Sequence, residues 1–381
     1  MSDKSVKAQG GIEKIGMKGS FLKFTLPSGD KVVLEGEILE HQTGIEYILG
    51  VLTSEKYGCI KSLGEIDAVG HRVVHGGEKF NASVLITDDV LVKVVECIDL
   101  APLHNPPNLA GISAVKELMG DIPQVAVFDT AFHQTMPAEA YMYGLPYSLY
   151  EKYSIRRYGF HGTSHRYVSR RVCEMLGVSY ESQKIVSAHI GNGGSLAAVK
   201  NGESIDTSMG MTPVEGLLMG TRAGDIDAGV LSFLMEKENV GSQTLSTITN
   251  KFSGLLGISG VSSDMREITA AINEGNTRAK LAFEMFCYRV KKYIGAYAAA
   301  MGGIDTLIFT GGIGENHTVS RELICKDLEF LGIELDKKIN AEIHGDEAII
   351  STPNSKVKVV IVPTDEEFMI ASDTAAIVMK E

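Results

Sequence analysis

Two histidines, His161 and His165, lie four residues apart in the segment YGFHGTSHRY and are the first side chains that could do chemistry. A zinc-binding pair on one helix face has a glutamate between its histidines, as in HExxH, whereas this segment reads HGTSH. Ser164 as a nucleophile would require a GxSxG turn and a nearby base, and the sequence shows neither. We therefore predict a loop that leads into a helix, with Thr163 or Ser164 as the N-cap.

A histidine just before the start of such a helix can donate a hydrogen bond to an anion. The alternative is that both histidines only form hydrogen bonds that cap and pack the turn. For His165 we favour this alternative, and for His161 both interpretations stay open at this point.

Two glycine-rich turns have the composition of phosphate-binding loops. HIGNGGS, from His189 to Ser195, joins two strand-like segments, and FTGGIGEN, from Phe309 to Asn316, follows a buried strand and precedes a helix. Glycine lets backbone N–H groups approach an anion closely, and nucleotides commonly bind where a strand leads into a helix. Neither turn is a GxGxxG or a Walker motif, so each alone indicates only a tight turn. The two together favour nucleotide binding.

Charged side chains accompany predicted strands. Arg72 lies within the apolar segment HRVVHGG, where an unpaired charge is costly, so a structural ion pair explains it as well as a function does. Arg222 lies in the loop GTRAGDID, and a solvated loop is the alternative there. Asp129 and Glu366 follow strand-like segments, where α/β sheets bind ligands. Mg²⁺ needs one or two such carboxylates beside substrate phosphates, but capping residues have the same appearance in sequence.

Alternating strand and helix patterns must position these side chains, and the alternation predicts α/β layers. Asn201-Gly202, between two alternating segments, is a hairpin signal and predicts an antiparallel meander over 184–209. The predicted strands are 68–74, 124–129, 184–190, 195–200, 204–209, 306–312 and 356–362, and the predicted helices are 106–119, 165–176, 228–237, 277–301 and 366–380.

Length and composition narrow the class of protein. A chain of 381 residues is long enough for two domains. With 36 basic and 48 acidic residues the net charge is -12, which disfavours a nucleic-acid partner. The five cysteines are scattered without a CxxC pair, so we expect reduced thiols. Glycines interrupt the weakly charged stretch 292–315, which predicts a helix end, a turn and a buried strand instead of a membrane span. We predict a cytoplasmic protein without a membrane partner.

Nine segments together resemble the acetate kinase family, and they occur in that family's order from about Gly11 to the last residue. The resemblance implies a two-domain, hexokinase/actin-like (ribonuclease H-like) α/β fold, with mixed sheets flanked by helices and a C-terminal helix that returns to the first domain. It also implies a homodimer and reversible phosphoryl transfer between ATP and acetate. The segments are GHRVVHGGEKF, APLHNPPN, VFDTAFHQTMP, RYGFHGTSHRYV, HIGNGGS, MGTRAGDID, GISGVSSDMRE, FTGGIGEN and PTDEE.

The resemblance also implies boundaries and catalytic residues. Residues 1–131 with 367–381 would form the acetate-side and dimer domain, and residues 132–366 the nucleotide-binding domain. Arg72, His161 and Arg222 match the residues that surround the transferred phosphoryl group. Asp129 matches the catalytic aspartate, and Glu366 matches the ligand of Mg²⁺ or Mn²⁺.

The binding pockets are implied in the same way. Met265 replaces a commonly aromatic residue and Gly194 a commonly hydroxylated one, and both departures concern nucleotide contacts only. The pocket for the acetate methyl group matches Val74, Leu103, Phe160 and Pro213. The contacts to ATP or ADP match His189, Ile190, Gly191, Asn192, Gly193, Asp264, Met265, Arg266, Gly312, Ile313, Gly314, Glu315 and Asn316.

The chemistry of phosphoryl transfer suits these residue types. A metaphosphate-like transition state spreads negative charge over its equatorial oxygens, so two arginines and a donating histidine stabilise it directly. Acetate is ionised at neutral pH, like side-chain carboxyls with a pKa of about 4, and attacks without losing a proton. We therefore predict that Asp129 orients Arg72 or a Mg²⁺-bound water and does not transfer a proton.

One departure from the family concerns the beginning of the chain. The family opens with a strand and hairpin that carry Asn-Ala-Gly-Ser-Ser-Ser-Leu-Lys, whereas MSDKSVKAQGGIEKIG resembles the family's segment after that hairpin. The absent asparagine and lysine belong to the Mg²⁺ and phosphate contacts. We expect a misplaced start or a clipped chain, with exposed sheet edges in the first domain, nucleotide binding in the second and slow turnover.

Other functions are weighed against this one. A non-catalytic nucleotide-binding protein would have no use for Arg72, His161 and Arg222 together, although loss of the first hairpin would produce such a protein in effect. A metal-dependent hydrolase is disfavoured because no ligand set accompanies the histidines. A propionate or short-chain carboxylate kinase is close to the leading hypothesis, because an apolar pocket discriminates one methylene by only about 1–3 kcal/mol. Val74 should narrow the pocket and favour acetate.

Overall fold

A computed structural model describes residues 5–26 and 28–379. These residues divide into two compact units, of which the first contains the described residues up to Ala131 and those from Glu367 onward. The second unit is Phe132–Glu366. The expectation about the start of the chain rests partly on residues 1–4, which lie outside the described residues.

The strands belong to three sheets. The first unit holds two three-stranded sheets, with the orders β1-β2-β3 and β4-β6-β5, and the second holds a six-stranded sheet with the order β11-β12-β10-β7-β8-β9. The strands are β1 (Gln9–Glu13), β2 (Phe21–Thr25), β3 (Lys31–Glu35), β4 (Val69–Val73), β5 (Val84–Leu85), β6 (Gln124–Phe128), β7 (Lys184–Ile190), β8 (Gly194–Lys200), β9 (Glu203–Thr207), β10 (Thr306–Thr310), β11 (Ala348–Ile349) and β12 (Lys358–Ile361).

Helices surround these sheets. The long helix α11 ends at Gly302, whose φ of 71° is in the left-handed region that glycine tolerates. The helices are α1 (His41–Leu52), α2 (Asp88–Glu96), α3 (Asn105–Met119), α4 (Ala138–Tyr141), α5 (Tyr147–Tyr153), α6 (Gly162–Leu176), α7 (Ala228–Lys237), α8 (Ser242–Lys251), α9 (Gly254–Ser259), α10 (Met265–Asn273), α11 (Thr277–Met301), α12 (Gly311–Asn316), α13 (Thr318–Cys325), α14 (Lys337–Glu342) and α15 (Glu366–Val378).

The core of the first unit forms around β6, which is buried along its whole length. β4 runs parallel to β6, and β5 runs antiparallel to it. α15 packs on β4 closely at Gly70, where a Cβ would lie 2.4 Å from Oγ1 of Thr374. The aromatic rings of Phe80 and Phe128 stack with centroids 4.3 Å apart within this core. The expected return of the C-terminal helix to the first unit is therefore confirmed.

The core of the second unit forms on the six-stranded sheet. β10 lies between β7 and β12 and runs parallel to both, while β7, β8 and β9 form an antiparallel meander. Val168 and Val172 of α6 pack on Ile185 of β7, Val199 of β8 and Ile308 of β10. Parallel strands place their carboxyl ends at one edge, so the turns after β7, β10 and β12 lie together there.

The elements expected from the sequence are confirmed, including the meander and the buried strand within 292–315. The five cysteines are free thiols, four of them buried. Within the part of the chain that the structure describes, no helix combines the length and the apolar character needed to cross a membrane. The sheet β1-β2-β3 and helix α1 precede residue 68, where the sequence analysis assigned no element.

Candidate active site

In the first unit, Arg72 and Asp129 form a forked ion pair. Arg72 lies on β4, and Asp129 follows the last residue of the neighbouring strand β6. Nε of Arg72 lies 3.1 Å from both carboxylate oxygens, and Nη2 lies 2.5 Å from Oδ2. The Asp129 side chain is fully buried, whereas 48% of the Arg72 side chain is exposed. The carboxylate therefore anchors the guanidinium group of a side chain that is about half exposed.

Two asparagines hold the chain that follows β4. Oδ1 of Asn108 accepts from the backbone N–H of Val74 at 3.0 Å. Asn105 is buried and binds His75 twice, since its Oδ1 accepts from the N–H and its amide donates to the carbonyl. Both asparagines belong to α3, which begins at HNPPN with proline in its first turn. These amide contacts fix the strand end that carries Val74.

The predicted pocket residues of the first unit differ in exposure. The side chain of Val74 is buried, with 7% of its surface exposed. Leu103, in contrast, is 75% exposed and lies just before α3. The structure thus brings Val74 beside the Arg72 strand and leaves Leu103 at the surface of this unit.

In the second unit, His161 itself is the N-cap of α6. Its φ of 57° and ψ of 23° are left-handed, an uncommon backbone conformation for a residue with a Cβ. The prediction that Thr163 or Ser164 would be the N-cap is wrong, because the helix already begins at Gly162. The Ser164 hydroxyl instead contacts Nδ1 of His189 at 2.8 Å.

A network of histidines and serines lies behind His161. Oγ of Ser195 contacts Nδ1 of His161 at 2.9 Å and Nε2 of His165 at 2.8 Å. His165 is buried, and its Nδ1 contacts Oγ of Ser187 at 2.9 Å. The His161 ring also stacks on His189, with centroids 4.4 Å apart and planes at 23°. His165 is therefore a buried, hydrogen-bonded residue, as the sequence indicated.

Arg222 and His161 meet at Gly193. A Cβ added to Gly193 would lie 3.4 Å from Nη1 of Arg222 and 3.8 Å from Nε2 of His161. Nη1 of Arg222 also lies 3.4 Å from the carbonyl oxygen of Pro213. Because glycine leaves this space open, a small anion at Gly193 would lie within reach of a guanidinium and an imidazole. Phe160, the residue before His161, is buried.

Arg222 has no carboxylate partner among residues 5–26 and 28–379. Of the two aspartates that follow it, Asp225 pairs with Arg289 at 2.9 Å and Asp227 caps α7. Burial lowers the pKa of Arg222 from its ordinary value, because desolvation disfavours the charged form. The loop therefore presents a half-buried cation and is not simply solvated.

The glycine-rich turns after β7 and β10 are close neighbours. A Cβ at Gly311, whose φ is 76°, would lie 2.9 Å from the carbonyl oxygen of Ile190. Oε1 of Glu315 accepts from the backbone N–H groups of Gly311 and Thr364, at 2.8 and 3.1 Å. The Glu315 carboxylate thus joins the turn after β10 to the segment after β12.

A cavity of about 640 Å³ opens beside these turns. It is large enough for a small-molecule ligand. Five of the predicted nucleotide contacts, His189, Ile190, Gly193, Gly314 and Glu315, do not line it. Its walls are Gly191, Asn192, Ser263, Asp264, Met265, Arg266, Gly312, Ile313, Asn316 and His317.

One wall of the cavity is the beginning of α10. Asp264 is the N-cap there and accepts from the backbone N–H of Arg266 at 2.8 Å. Hydrogen bonds from the Arg266 side chain and backbone lower the pKa of Asp264. The Arg266 side chain is 88% exposed, and Met265 is buried. The sequence analysis did not include Ser263 and His317, although each adjoins a predicted contact.

Glu366 is a half-buried residue at the start of α15. It follows β12, whose carboxyl end lies beside the glycine turn after β10. Among residues 5–26 and 28–379, no group of three histidine, cysteine or acidic side chains could hold a metal ion. A single carboxylate after a strand that neighbours a glycine-rich turn fits Mg²⁺, which binds one or two carboxylates and takes its other ligands from phosphates and water. It does not fit a metal that needs a full protein cage.

The chain is similar to known proteins over almost its whole length. The model of the acetokinase family matches residues 1–372. An acetate kinase from Azobacteroides pseudotrichonymphae genomovar. CFP2 is 71% identical over 377 residues, which cover 99% of this chain and 95% of the relative. The crystal structure of Porphyromonas gingivalis acetate kinase has a TM-score of 0.94 at 61% identity and covers 98% of this chain and 94% of that one. A propionate kinase from Francisella tularensis subsp. tularensis SCHU S4 has a TM-score of 0.92 at 41% identity, with 99% and 94% covered.

Proposed function

The chain belongs to the acetokinase family, and we propose from its site geometry how individual residues serve the reaction. The reaction is phosphoryl transfer between ATP and acetate, which gives acetyl phosphate and ADP. The observation that carries the assignment of roles is the position of His161 and Arg222 on either side of Gly193. An imidazole and a guanidinium around an open glycine are groups that stabilise a phosphoryl group.

We propose that these two side chains stabilise the negative charge of the transition state. As the phosphoryl group transfers, negative charge spreads over its equatorial oxygens, and Nη1 of Arg222 would donate to one of them. Nε2 of His161 would donate to another, since its Nδ1 is already engaged with Ser195. Both contacts are stronger in the transition state than in the bound reactants, so they raise kcat.

Arg72 is proposed to bind a third oxygen of the reacting groups. The forked contact with Asp129 fixes the plane of its guanidinium before the ligand binds, which reduces the entropy lost in the reaction. The Asp129 carboxylate accepts from Arg72 and is a positioning residue in this scheme. Acetate is an anion and needs no base.

The second unit is proposed to bind the nucleotide in its cavity, and the first to bind acetate. The backbone N–H of Gly312, in the first turn of α12, would approach the phosphates. Glu366 would hold a divalent ion, for which we propose Mg²⁺ or Mn²⁺. Such an ion neutralises phosphate charge when it is bound. We further propose a homodimer in the cytoplasm.

Acetate is the proposed carboxylate, and propionate is the second candidate. Val74, the residue after the strand of Arg72, has a branched, buried side chain that would limit the length of the substrate. Phe160, Pro213 and Leu103 are the further residues assigned to the methyl pocket. The 41% identity to a propionate kinase keeps the longer substrate in consideration, while the 61% identity to an acetate kinase favours acetate.

A coupled assay of acetate-dependent ADP release tests the proposal. We expect Arg222→Gln to lower kcat by about 10³-fold or more, the range for an arginine that stabilises transferring phosphate. Arg171→Gln is the matched control, because the Arg171 side chain bonds to Glu174 and Glu347 and to none of the proposed site residues, so kcat should be unchanged. Wild-type kcat in Arg222→Gln would refute the assignment. ATP binding without ADP release in the wild-type chain would indicate a non-catalytic nucleotide-binding protein.

A further inference from the structure

We propose that Ser195 positions His161 for phosphoryl transfer by holding its imidazole with the hydrogen on Nε2. The inference rests on the proposed role of His161 and gives a role to Ser195, the last residue of HIGNGGS, to which the sequence analysis assigned none. Ser195 would act through His161 without touching the substrate.

The geometry around Ser195 allows only two hydrogen-bond arrangements. Its side chain is fully buried, and its Oγ contacts Nδ1 of His161 at 2.9 Å and Nε2 of His165 at 2.8 Å. A hydroxyl group carries one hydrogen, and within residues 5–26 and 28–379 the two ring nitrogens are the only hydrogen-bond partners of this buried side chain. If it accepted from both rings, its own hydrogen would be buried without an acceptor, so it donates to one ring and accepts from the other. Whichever direction holds, the two histidines are coupled through this oxygen.

His165, the other hydrogen-bond partner of Ser195, is a neutral imidazole. Burial, with the nearby rings of His133 and His189, lowers the pKa of His165 well below its ordinary value. A neutral imidazole has one N–H, and the second nitrogen of His165 contacts the hydroxyl of Ser187 at 2.9 Å. The three hydrogen bonds that join Ser187, His165, Ser195 and His161 therefore all run in the same direction. Either each residue donates to the next one in this order, or each accepts from it.

The direction decides what His161 can do. If His165 donates to Ser195, the Ser195 hydroxyl donates to Nδ1 of His161, and the hydrogen of His161 is on Nε2. That nitrogen lies 3.8 Å from the position of a Cβ on Gly193, near the Arg222 guanidinium. In the opposite direction Nε2 presents a lone pair, which would repel an anionic phosphoryl oxygen. Only the first direction suits an anion at this place.

A neighbouring histidine shows the same arrangement with its direction fixed. Nε2 of His133 lies 3.1 Å from the carbonyl oxygen of Phe160, which can only accept, so His133 donates there. Its Nδ1, 2.7 Å from Oγ of Ser204, must then accept from the hydroxyl group. A buried serine that donates to Nδ1 and leaves the hydrogen on Nε2 thus already occurs in this unit.

Ser195 supplies what the stacking contact of His161 cannot. The ring stacks on His189 at 4.4 Å, and this contact is nearly unchanged if the imidazole turns over by half a rotation. A hydrogen bond to Nδ1 distinguishes the two orientations, because the turned ring would present a carbon to Oγ. The stacking fixes the plane of the ring, and Ser195 fixes its orientation, with Nδ1 towards Oγ and the Nε2–Cε1 edge towards Gly193.

Ring-nitrogen NMR of the full chain without ligand tests the proposal directly. We expect the signal of His161, identified by its loss in His161→Asn, to show hydrogen on Nε2 and a hydrogen-bonded lone pair on Nδ1. We expect Ser195→Ala to weaken this signature and lower kcat roughly 2- to 12-fold, the factor for one neutral hydrogen bond, with little change in the KM for ATP. Ser195→Thr keeps the hydroxyl and should restore both.

Ser204→Ala is the matched control, since it also removes a buried serine that is bonded to a buried histidine. It should leave the His161 signals unchanged. Hydrogen on Nδ1 of His161 in the wild-type chain, unchanged kcat in Ser195→Ala, or equal losses in Ser195→Ala and Ser204→Ala would each overturn the proposal. Full activity in His161→Asn would instead refute the role of His161, so the two failures are distinguishable.

Discussion

Replacing Asp129 with asparagine tests whether the carboxylate orients Arg72 or moves a proton. The buried carboxylate receives Nε of Arg72 at 3.1 Å and Nη2 at 2.5 Å. Asparagine keeps one oxygen as an acceptor in nearly the same volume and places an NH₂ group against the guanidinium. The forked contact is reduced to a single hydrogen bond to a neutral group.

The magnitude follows from the contact that is lost. A hydrogen bond to a charged group contributes about 1.5–3 kcal/mol, and each 1.36 kcal/mol in a barrier is about tenfold in rate. If Arg72 loses its orientation for the transition state, kcat should fall about 10- to 150-fold. The free energy of unfolding should fall by less than the roughly 3–5 kcal/mol of a fully buried pair, because 48% of the Arg72 side chain remains in water.

The assay is acetate-dependent ADP release, measured from about pH 6 to about pH 9 for both proteins. We expect Asp129→Asn to lower kcat at every pH and to leave the shape of the profile unchanged, because acetate attacks as an anion. Glu347→Gln is the control, because it also disrupts a forked arginine–carboxylate pair, that of Arg171, and does not involve Arg72 or Asp129. It should leave kcat unchanged. If Asp129→Asn loses one limb of the pH–rate profile and keeps its affinity for phosphate and metal, Asp129 transfers a proton. Unchanged kcat would show that Arg72 needs no anchor.

Three further predictions concern the carboxylate pocket, the nucleotide cavity and the buried histidines. Val74→Ala should raise kcat/KM for propionate relative to acetate by about 10-fold, and an unchanged ratio would remove Val74 from the pocket. Gly312→Ala should raise the KM for ATP roughly 5-fold or more, because its Cβ would meet no protein atom within 4 Å and would enter the cavity, whereas Gly295→Ala on α11 should not. Burial lowers the pKa of His133 from 6.5 to about 4, so the folded state binds fewer protons than the unfolded state in this range. The free energy of unfolding should fall by about 3 kcal/mol from about pH 6.5 to about pH 4, and His133→Gln should show a shallower loss in thermal unfolding.

Most elements of the fold follow from local patterns in the sequence. β6 reads QVAVF, and its run of apolar residues after Gln124 is typical of a strand that is buried on both faces. The meander after β7 is readable because Asn201-Gly202 favours a tight turn between strands. β1 reads QGGIE, and only Ile12 is apolar, so no alternation marks it as a strand. β1 is a strand because its backbone pairs with β2, a contact that the local sequence pattern does not reveal.

The site follows from the sequence less completely, for a physical reason. Arg72, His161 and Arg222 belong to motifs in which glycine and charge occur together, so their chemistry is visible in the types of residue. Ser195 lies 34 residues from His161, and its hydroxyl is indistinguishable in sequence from that of any strand serine. The N-cap of α6 was missed because a left-handed histidine is costly, and propensity favours threonine or serine at that place.

Two arginines of the second unit differ in how their buried charge is compensated, and the difference separates a structural arginine from a proposed functional one. Arg321 is fully buried, and the carbonyl oxygens of Gly314, Glu315 and Ile343 surround its guanidinium. Desolvation lowers the pKa of Arg321 to about 10, and the carbonyl contacts offset part of that cost. Arg222 is half-buried and bears the same kind of cost, and in the described part of the chain its guanidinium bonds only to the Pro213 carbonyl oxygen at 3.4 Å and to the Met219 sulfur at 3.8 Å. Desolvation makes such a cation costly in the folded protein, and binding of the proposed anion beside Gly193 would offset that cost.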